Sequence, residues 1–448
     1  MCMRFKRIIG GFLCALLLFG QIGVAASAEG EGESAAAELS LYATAAVLMD
    51  ADSGRVLYGK DQDTPMPMAS TTKIMTCITV LENGNLDDML TVSAYASSMP
   101  KVKLYLRTGE QYQVRDLLFS LMLESHNDSA VALAEYIGKQ YLSPKLQEKD
   151  TGAFTSEESK EAVAAFAALM NKKAAELGCT QTYFITPNGL DATETITLEN
   201  GETVTKEHCT TAAELARIMS YCIKESPQRD LFLEITRTPS YTFSANSRSF
   251  VCANHNSFLS MMEGALSGKT GFTNKAGYCY VGSLERDGRT FVVALLACGW
   301  PNNKNYKWSD TKELMQYGID HYFYRSFLED GVAFDESTLN PILVAGGQTD
   351  VLGGTAYTDV VIIGRGVGAS DDKNVAGLLL REDEEVQVIC NVKERLDAPV
   401  QAGTVVGDIS YLVDDKVYYT EKIVTTQSVE KIDLPWCVEQ IRERFCLP

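Results

Sequence analysis

The stretch Ser70-Thr71-Thr72-Lys73 stands directly before an apolar run that repeats with helical spacing, at Ile74, Ile78 and Leu81. Ser70 is therefore predicted at the start of a helix, with Lys73 one turn further along on the same face. In that arrangement the lysine amine can take the proton of the serine hydroxyl. The same Ser-x-x-Lys spacing occurs at other serines, where we interpret it as coincidence: Ser98, Ser309, Ser370 and Ser428.

Two further motifs distinguish Ser70 from these other serines. Ser125-His126-Asn127 lies at a predicted junction between two helical runs, and Lys269-Thr270-Gly271 opens a β-rich region. Lys-Thr-Gly occurs only there in the chain. The three motifs, in this order on a helix start, an inter-helix loop and a strand, are the signature of penicillin-binding proteins and related β-lactamases.

On these residues the chain resembles the D-alanyl-D-alanine carboxypeptidases, which are low-molecular-mass penicillin-binding proteins of the serine-peptidase type. The resemblance spans about residues 39–328 and continues in Leu396-Asp397-Ala398-Pro399-Val400 and Gly403. It also includes stretches around the motifs: Asp50–Gly54, Asn127–Ala130, Phe184–Asp191 and Lys269–Thr273. The resemblance implies an α+β fold. A penicillin-binding-protein/β-lactamase-like transpeptidase domain, with an antiparallel sheet flanked by helices and a helical lobe, would precede a small all-β domain.

The resemblance also implies an acyl-enzyme mechanism. Ser70 would attack the carbonyl between two D-alanines, Lys73 would act as its base, and Ser125 would pass the proton to the departing D-alanine. A lysine can act as a base only if burial and a nearby positive charge lower its pKa, and Lys269 is the candidate for that charge. The implied substrate-binding residues are Asn127, Lys269, Thr270, Gly271 and Phe272.

Several positions depart from the family pattern. His126 stands where similar carboxypeptidases often have glycine, and we interpret it as a solvent-facing side chain, although it could narrow the cleft or carry a proton. Lys307 stands where an arginine is expected to help hold the substrate carboxylate; lysine supplies charge without a bidentate fork. Residues 193–206 resemble an insertion beside the cleft. Asn256 is interpreted either as a cleft residue or as a turn residue.

The composition indicates a globular protein of two or three domains, since 46% of the residues are hydrophobic and 22% are charged. A basic start, a short apolar run and Ala26-Ser27-Ala28 predict a signal peptide over 1–28, and residues 29–38 resemble a linker. We expect the DD-peptidase domain at 39–328, a β-rich domain at 331–428 and an amphipathic tail at 429–448. The predicted location is outside the cytoplasm, in the cell wall or on the outer face of the cytoplasmic membrane.

Local patterns predict individual elements. Two apolar runs, 45–49 and 56–58, flank the turn Asp52-Ser53-Gly54 and predict a β-hairpin. The chain is expected to become β-like from about Leu231, and 310–327 is expected to form a closing helix. Near the C-terminus, one face of an amphipathic helix is apolar, and this helix could lie on a membrane surface or dock on the β-rich domain. Its apolar residues are Leu434, Val438, Ile441 and Phe445.

Charge and cysteine content exclude some functions. The formal net charge is −19, from 40 basic and 59 acidic residues, so binding to nucleic acid is not expected. The histidines and cysteines show no metal-ligand spacing, and the sequence predicts no metal site and no cofactor. The cysteines are expected to be mostly unpaired and buried, with Cys77 and Cys279 filling the core rather than acting as nucleophiles. His208, His255 and His321 are interpreted as structural or surface residues.

The predicted function is removal of the terminal D-alanine from peptidoglycan stem peptides, with β-lactams as covalent inhibitors. DD-endopeptidase or transpeptidase action remains open, as does a non-catalytic peptidoglycan-binding protein with the same fold. A β-lactamase is disfavoured because no Glu-x-x-x-Asn follows the second motif at the spacing that such enzymes use for their deacylating base.

Overall fold

The computed structural model describes residues 39–197, 201–329, 331–363 and 376–445. The predicted signal peptide and linker lie outside these ranges. The helices are α1 (Lys73–Asn83), α2 (Ala94–Ser97), α3 (Val114–Phe119), α4 (Asn127–Gly138), α5 (Pro144–Glu148), α6 (Ser156–Glu176), α7 (Ala212–Lys224), α8 (Arg229–Arg237), α9 (Tyr306–His321) and α10 (Leu434–Phe445).

The described ranges also contain twenty β-strands. They are β1 (Ala45–Asp50), β2 (Val56–Lys60), β3 (Met89–Thr91), β4 (Gln111–Gln113), β5 (Thr193–Thr197), β6 (Thr203–Glu207), β7 (Ser240–Ala245), β8 (Arg248–Ala253), β9 (Ala265–Thr273), β10 (Gly277–Arg286), β11 (Arg289–Leu296), β12 (Phe323–Ser326), β13 (Ile342–Ala345), β14 (Ala356–Thr358), β15 (Val360–Ile363), β16 (Gly377–Leu380), β17 (Gln387–Val392), β18 (Arg395–Asp397), β19 (Val405–Val413) and β20 (Lys416–Thr425).

The central sheet of the described chain is antiparallel, with strand order β2-β1-β11-β10-β9. The predicted hairpin is confirmed as β1 and β2. Alternate residues of β1 face opposite sides: Val47 packs with the helical lobe, whereas Leu48 packs in a second core that includes Leu314 of α9. Helices thus cover both faces of the sheet, and β9 forms one of its edges.

The helical lobe lies in sequence between β2 and β9, and it holds most of the larger core. Its apolar residues on α1, α4, α6 and α7 pack together, as the helical periodicity predicts. The expectation that the chain turns to strand from about Leu231 is wrong, because α8 continues to Arg237 and the next strand begins at Ser240. The segment 193–206 contains most of a two-stranded hairpin, β5 and β6.

The predicted helix 310–327 is wrong at both ends. Helix α9 begins at Tyr306 and ends at His321, and the chain then forms β12, which pairs with β16. Beyond β12 the described chain is mainly β-structure around its own core, and β15-β20-β19-β17 form one sheet. The turn predicted at Asp414-Asp415 joins β19 to β20.

A buried arginine links the first hairpin to this β-rich part. Arg55 is 6% exposed, and its guanidinium donates to both carboxylate oxygens of Glu384, at 2.5 and 3.1 Å, and to the Leu379 carbonyl at 2.8 Å. Such a bidentate pair fixes orientation as well as charge. Tyr322 adds a hydrogen bond to the Leu57 carbonyl at 2.5 Å. The β-rich part is therefore attached at the β2 edge of the sheet, the edge opposite β9.

The amphipathic helix predicted near the C-terminus is present as α10. Its apolar residues are exposed, with Leu434 at 76% and Val438 at 58%. No helix in the described part of the chain combines the length and the apolar character needed to cross a membrane.

Candidate active site

The Ser70 motif forms a turn of 3-10 helix, Ala69–Thr72, that leads into α1. Ala69 has a φ of +49°, and the side chains of Thr71 and Thr72 donate to the carbonyls of Met68 and Ala69, at 2.6 and 2.8 Å. These bonds fold the turn back on itself and leave Ser70 partly exposed at its tip. The prediction that Ser70 and Lys73 lie one turn apart at a helix start is confirmed.

Lys73 is completely buried and is surrounded by three oxygen atoms. Its Nζ lies 2.8 Å from Ser70 Oγ, 2.9 Å from Asn127 Oδ1 and 2.6 Å from the Asn188 carbonyl oxygen. A neutral amine has two N–H groups and one lone pair. Since Asn127 Oδ1 and the Asn188 carbonyl can only accept, they take the two N–H groups, and the lone pair is left for the Ser70 hydroxyl.

The electrostatics of the site favour this neutral amine. Burial lowers the pKa of Lys73 well below its ordinary value, and the positive charge of Lys269 lowers this pKa further. The carboxylate of Asp128 acts in the opposite direction. The geometry and the pKa of Lys73 therefore agree with the role of a base toward Ser70.

The loop that supplies the Asn188 carbonyl is a part of the site that sequence reasoning missed. Gly189 in this loop has a φ of +82°, and a Cβ atom there would lie 1.9 Å from the Ala69 carbonyl oxygen. The side chain of Thr76 on α1 donates to the Pro187 carbonyl at 2.6 Å. The Pro-Asn-Gly sequence does indicate a turn, but a backbone carbonyl acceptor leaves no signal in the side chains.

Ser125 lies between one turn of π-helix, Ser120–Glu124, and α4, as the predicted helix junction requires. It has left-handed backbone angles, with φ of 64° and ψ of 33°. Its Oγ accepts a hydrogen bond from Lys269 Nζ at 2.9 Å. The structure thus joins the second motif to the third, and Asn127 joins the second to the first.

The Lys-Thr-Gly motif lies on the edge strand β9, beside the Ser70 turn. A Cβ atom at Gly271 would lie 2.9 Å from the Ser70 nitrogen, so only glycine allows this approach without a shift. Lys269 is 3% exposed, and burial lowers its pKa to about 7. Thr270 is partly exposed and Phe272 is exposed, and both residues line the same cleft as Ser70.

A cleft of about 700 Å³ contains the predicted site. Besides Ser70, Ser125, Asn127, Thr270, Gly271 and Phe272, its lining includes Lys101, Lys304, Lys307, Tyr278 and Trp308. The Nζ of Lys307 lies 4.8 Å from the Tyr278 ring centre and 4.7 Å from that of Trp308, and burial lowers its pKa to about 8. Asn256 is buried beside this cleft, where its Oδ1 accepts from the Tyr280 hydroxyl at 2.9 Å.

The interpretation of His126 as a solvent-facing residue is wrong. Its side chain is 8% exposed, and Nδ1 lies 2.8 Å from Ser120 Oγ, on the π-helical turn. Burial lowers its pKa to about 4, so the ring is neutral near pH 7. His126 therefore packs against the π-helical turn that precedes Ser125.

The family model described as D-alanyl-D-alanine carboxypeptidase matches residues 32–141 and 157–298, which together make up more than half of the chain. The chain belongs to the D-alanyl-D-alanine carboxypeptidase family. A second model, the C-terminal domain of penicillin-binding protein 5, matches residues 377–431 of the enzyme. The family prediction made from the three motifs is thereby confirmed.

Individual relatives agree with this assignment. The enzyme is 24% identical to the D-alanyl-D-alanine carboxypeptidase DacF of Bacillus subtilis over 432 residues, which cover 95% of each chain. It is 28% identical over 246 residues to a D-alanyl-D-alanine endopeptidase of Pseudomonas aeruginosa, covering 54% of the enzyme and 66% of that relative. The crystal structure of the carboxypeptidase DacD of Francisella tularensis shares the fold, with a TM-score of 0.61, 21% identity and coverage of 88% and 95%.

The cysteines in the described part of the enzyme do not line this cleft. All nine cysteines in the described ranges are free, and six of them are buried. Burial raises the pKa of Cys77 and raises that of Cys279 to about 12, which keeps both thiols protonated. The interpretation of these two residues as core residues is confirmed.

Proposed function

We propose that the enzyme removes the terminal D-alanine from peptidoglycan pentapeptides through an acyl-enzyme on Ser70. One observation carries this proposal: the Nζ of a fully buried lysine lies 2.8 Å from the hydroxyl of a serine that lines an open cleft. A serine next to a base with a lowered pKa is an activated nucleophile.

In the first half of the reaction, Ser70 attacks the carbonyl between the two D-alanines and its proton passes to Lys73. Asn127 and the Asn188 carbonyl hold the amine in place through the bonds described above. The backbone N–H groups of Ser70 and Phe272 would stabilise the oxyanion, and each such donor is typically worth about 3–4 kcal/mol. A water molecule then releases the shortened peptide from Ser70.

The other residues of the cleft would bind the substrate and complete the proton transfer. The ammonium of Lys269 and the hydroxyl of Thr270 would receive the terminal carboxylate, while the peptide adds as an extra strand along the free edge of β9. Ser125, which accepts a hydrogen bond from Lys269, would pass the proton to the departing D-alanine. Lys307 would add positive charge without the fork of an arginine.

The test is to incubate the purified enzyme with a diacyl-Lys-D-Ala-D-Ala peptide and to measure free D-alanine, together with intact-protein mass with and without penicillin. We expect D-alanine release, a penicillin adduct that blocks it, and loss of both in Ser70→Ala. An adduct without release would favour another bond or acceptor, such as the cross-links cut by endopeptidases. Neither adduct nor release from folded enzyme would contradict the proposal and favour a peptidoglycan-binding protein without catalysis.

The dependence of acylation on pH is a further prediction. Acylation needs a neutral Lys73, so its rate is expected to fall as the pH drops through the lowered pKa of that residue. It also needs a charged Lys269 to bind the carboxylate of a penicillin, so the rate is expected to fall as the pH rises through about 7. The measurement is the second-order rate of acylation by a fluorescent penicillin, from about pH 5 to about pH 9.

Lys269→Arg is the control for the alkaline limb. An arginine stays charged over the whole range, so this variant is expected to lose the fall above about pH 7 while keeping the acid limb, at a lower maximum rate. If the alkaline limb of Lys269→Arg coincides with that of the unmodified enzyme, Lys269 does not cause it.

The proposed location is the outer face of the cytoplasmic membrane or the cell wall, because peptidoglycan substrates lie there and residues 1–28 have a signal-peptide pattern.

The exposed apolar face of α10 supports contact with the membrane surface. Sedimentation of the enzyme with lipid vesicles tests this contact. Binding should be lost when Leu434 and Phe445 are both replaced by serine.

A further inference from the structure

His208 directly follows β6 in the chain. Its side chain contacts Thr72 of the Ser70 turn and is not among the residues that line the cleft. Its side chain is 4% exposed, and both ring nitrogens have partners. Nδ1 lies 3.0 Å from the backbone nitrogen of Ile185, and Nε2 lies 2.8 Å from Thr72 Oγ1. The imidazole therefore bridges two segments that are far apart in sequence.

The partners determine which nitrogen carries the proton. The Ile185 N–H can only donate, so Nδ1 must accept, and in a neutral ring Nε2 then carries the hydrogen and donates to Thr72. The Thr72 hydroxyl in turn donates a hydrogen bond to the Ala69 carbonyl oxygen at 2.8 Å. Burial lowers the pKa of His208 to about 4, which keeps the ring in this neutral form near pH 7.

The two bridged segments are the ones that place Lys73 against Ser70. The Ser70 turn carries the serine, and the loop that begins at Ile185 carries the Asn188 carbonyl, which accepts from Lys73 at 2.6 Å. Gly189 of the same loop packs against the Ala69 carbonyl, the acceptor at the end of the His208–Thr72 chain. A shift of either segment would change the distance between the lysine amine and the serine hydroxyl.

We infer that His208 is a positioning residue for acylation, which holds the Ser70 turn and the Asn188 loop in register through Thr72 and Ile185. It does not line the cleft and is not expected to contact substrate. This inference rests on the proposed function, because it assumes that Ser70 is acylated with Lys73 as its base.

Two substitutions separate the two bonds of the ring. Glutamine places its Nε2–H near the position of the histidine Nε2 and can keep the bond to Thr72. Asparagine places its Oδ1 near the position of Nδ1 and can keep only the bond to Ile185. We expect His208→Asn to lower kcat for D-alanine release about tenfold, with KM changed less than about twofold, and His208→Gln to recover most of this loss.

Thr72→Val tests the same bond from its other end. It should lower kcat about as much as His208→Asn, and the double variant should be no slower than either single one, because both remove one interaction. Ser220→Ala is the matched control, since it removes a buried hydrogen bond to the Ala51 carbonyl in the same domain and should leave kcat unchanged.

The outcomes separate this inference from the proposed function. If the unmodified enzyme is acylated by penicillin at Ser70 and His208→Asn is acylated at the same second-order rate and keeps its kcat, the positioning role is wrong. Losses that add fully in the double variant would also overturn it. If the unmodified enzyme is not acylated at all, the proposed function itself fails. Thermal unfolding of each variant shows whether the protein is folded. If His208→Asn does not fold, the acylation rate and the kcat of Thr72→Val test the positioning role instead.

Discussion

Lys73→Met is expected to lower the rate of acylation by penicillin about 10³-fold while the enzyme remains folded. Methionine is similar in length and fills the buried site, but it cannot accept the proton of Ser70, and a positioned general base typically contributes about 10²–10⁴-fold. The amine that is removed lies 2.8 Å from the serine hydroxyl. The measurement is the second-order acylation rate with a fluorescent penicillin, with circular dichroism to check the fold.

Lys73→Arg separates the role of a base from that of a hydrogen-bond donor. Arginine keeps N–H donors at this position but stays protonated and cannot accept a proton, so acylation should be lost in this variant as well. Lys312→Met is the matched control, because Lys312 is exposed and belongs to one of the other Ser-x-x-Lys stretches. Rapid acylation of Lys73→Arg would show that Lys73 does not act as the base.

Gly189→Ala is expected to reduce acylation at least about 10²-fold. The new Cβ would lie 1.9 Å from the Ala69 carbonyl oxygen, so the Asn188 loop or the Ser70 turn must move. A misplacement of about 1 Å in a reacting geometry can cost about 10²-fold. The backbone strain at φ +82° adds a cost in folding free energy of about 1–2 kcal/mol. The measurements are the acylation rate and the free energy of unfolding.

Gly109→Ala is the control for backbone strain alone. Gly109 has a φ of +83°, and nothing lies within 4 Å of an added Cβ atom. This variant should lose about 1–2 kcal/mol of folding free energy, which is the strain expected for a left-handed alanine. Its acylation rate should equal that of the unmodified enzyme. Equal acylation rates for Gly189→Ala and Gly109→Ala would show that the contact with Ala69 does not hold the site.

The parts of the site that the sequence predicted are those with a local pattern. Ser70 and Lys73 are three residues apart at a helix start, so their proximity follows from helix geometry alone. The approach of Ser125 and Lys269 to this pair could not be derived from spacing, because it depends on the packing of β9 against the Ser70 turn. Only the resemblance of the combined motifs to a known family predicts this approach.

The parts that the sequence did not predict depend on partners that are distant or leave no signal. The Asn188 oxygen that binds Lys73 belongs to the backbone, so side-chain identity carries no information about it. The sequence predicts a solvent-facing His126, but its partner Ser120 lies on a π-helical turn, whose wider winding is not visible in an apolar pattern. The sequence indicates no role in the site for His208, because Thr72 and Ile185 contact it only in the folded chain.

The predicted boundaries of two elements differ from the structure for related reasons. Around Leu231 the apolar residues lie close together, and such a run is compatible with either a helix or a strand. The helix predicted over 310–327 includes β12, a strand whose partner β16 comes only after many intervening residues. Tertiary pairing determined the conformation at this point, and no local feature of the sequence indicates it.

The pairing of β12 with β16 also determines where the chain can be truncated to obtain a soluble N-terminal fragment for crystallography. A fragment that ends after Ser326 would keep β12 but remove its partner, and the exposed strand edge would carry the apolar side chains of Phe323 and Tyr324. Unpaired edges of this kind invite intermolecular association. Ending the fragment at Tyr322 instead would retain the hydrogen bond to the Leu57 carbonyl and remove β12, the strand that has lost its partner.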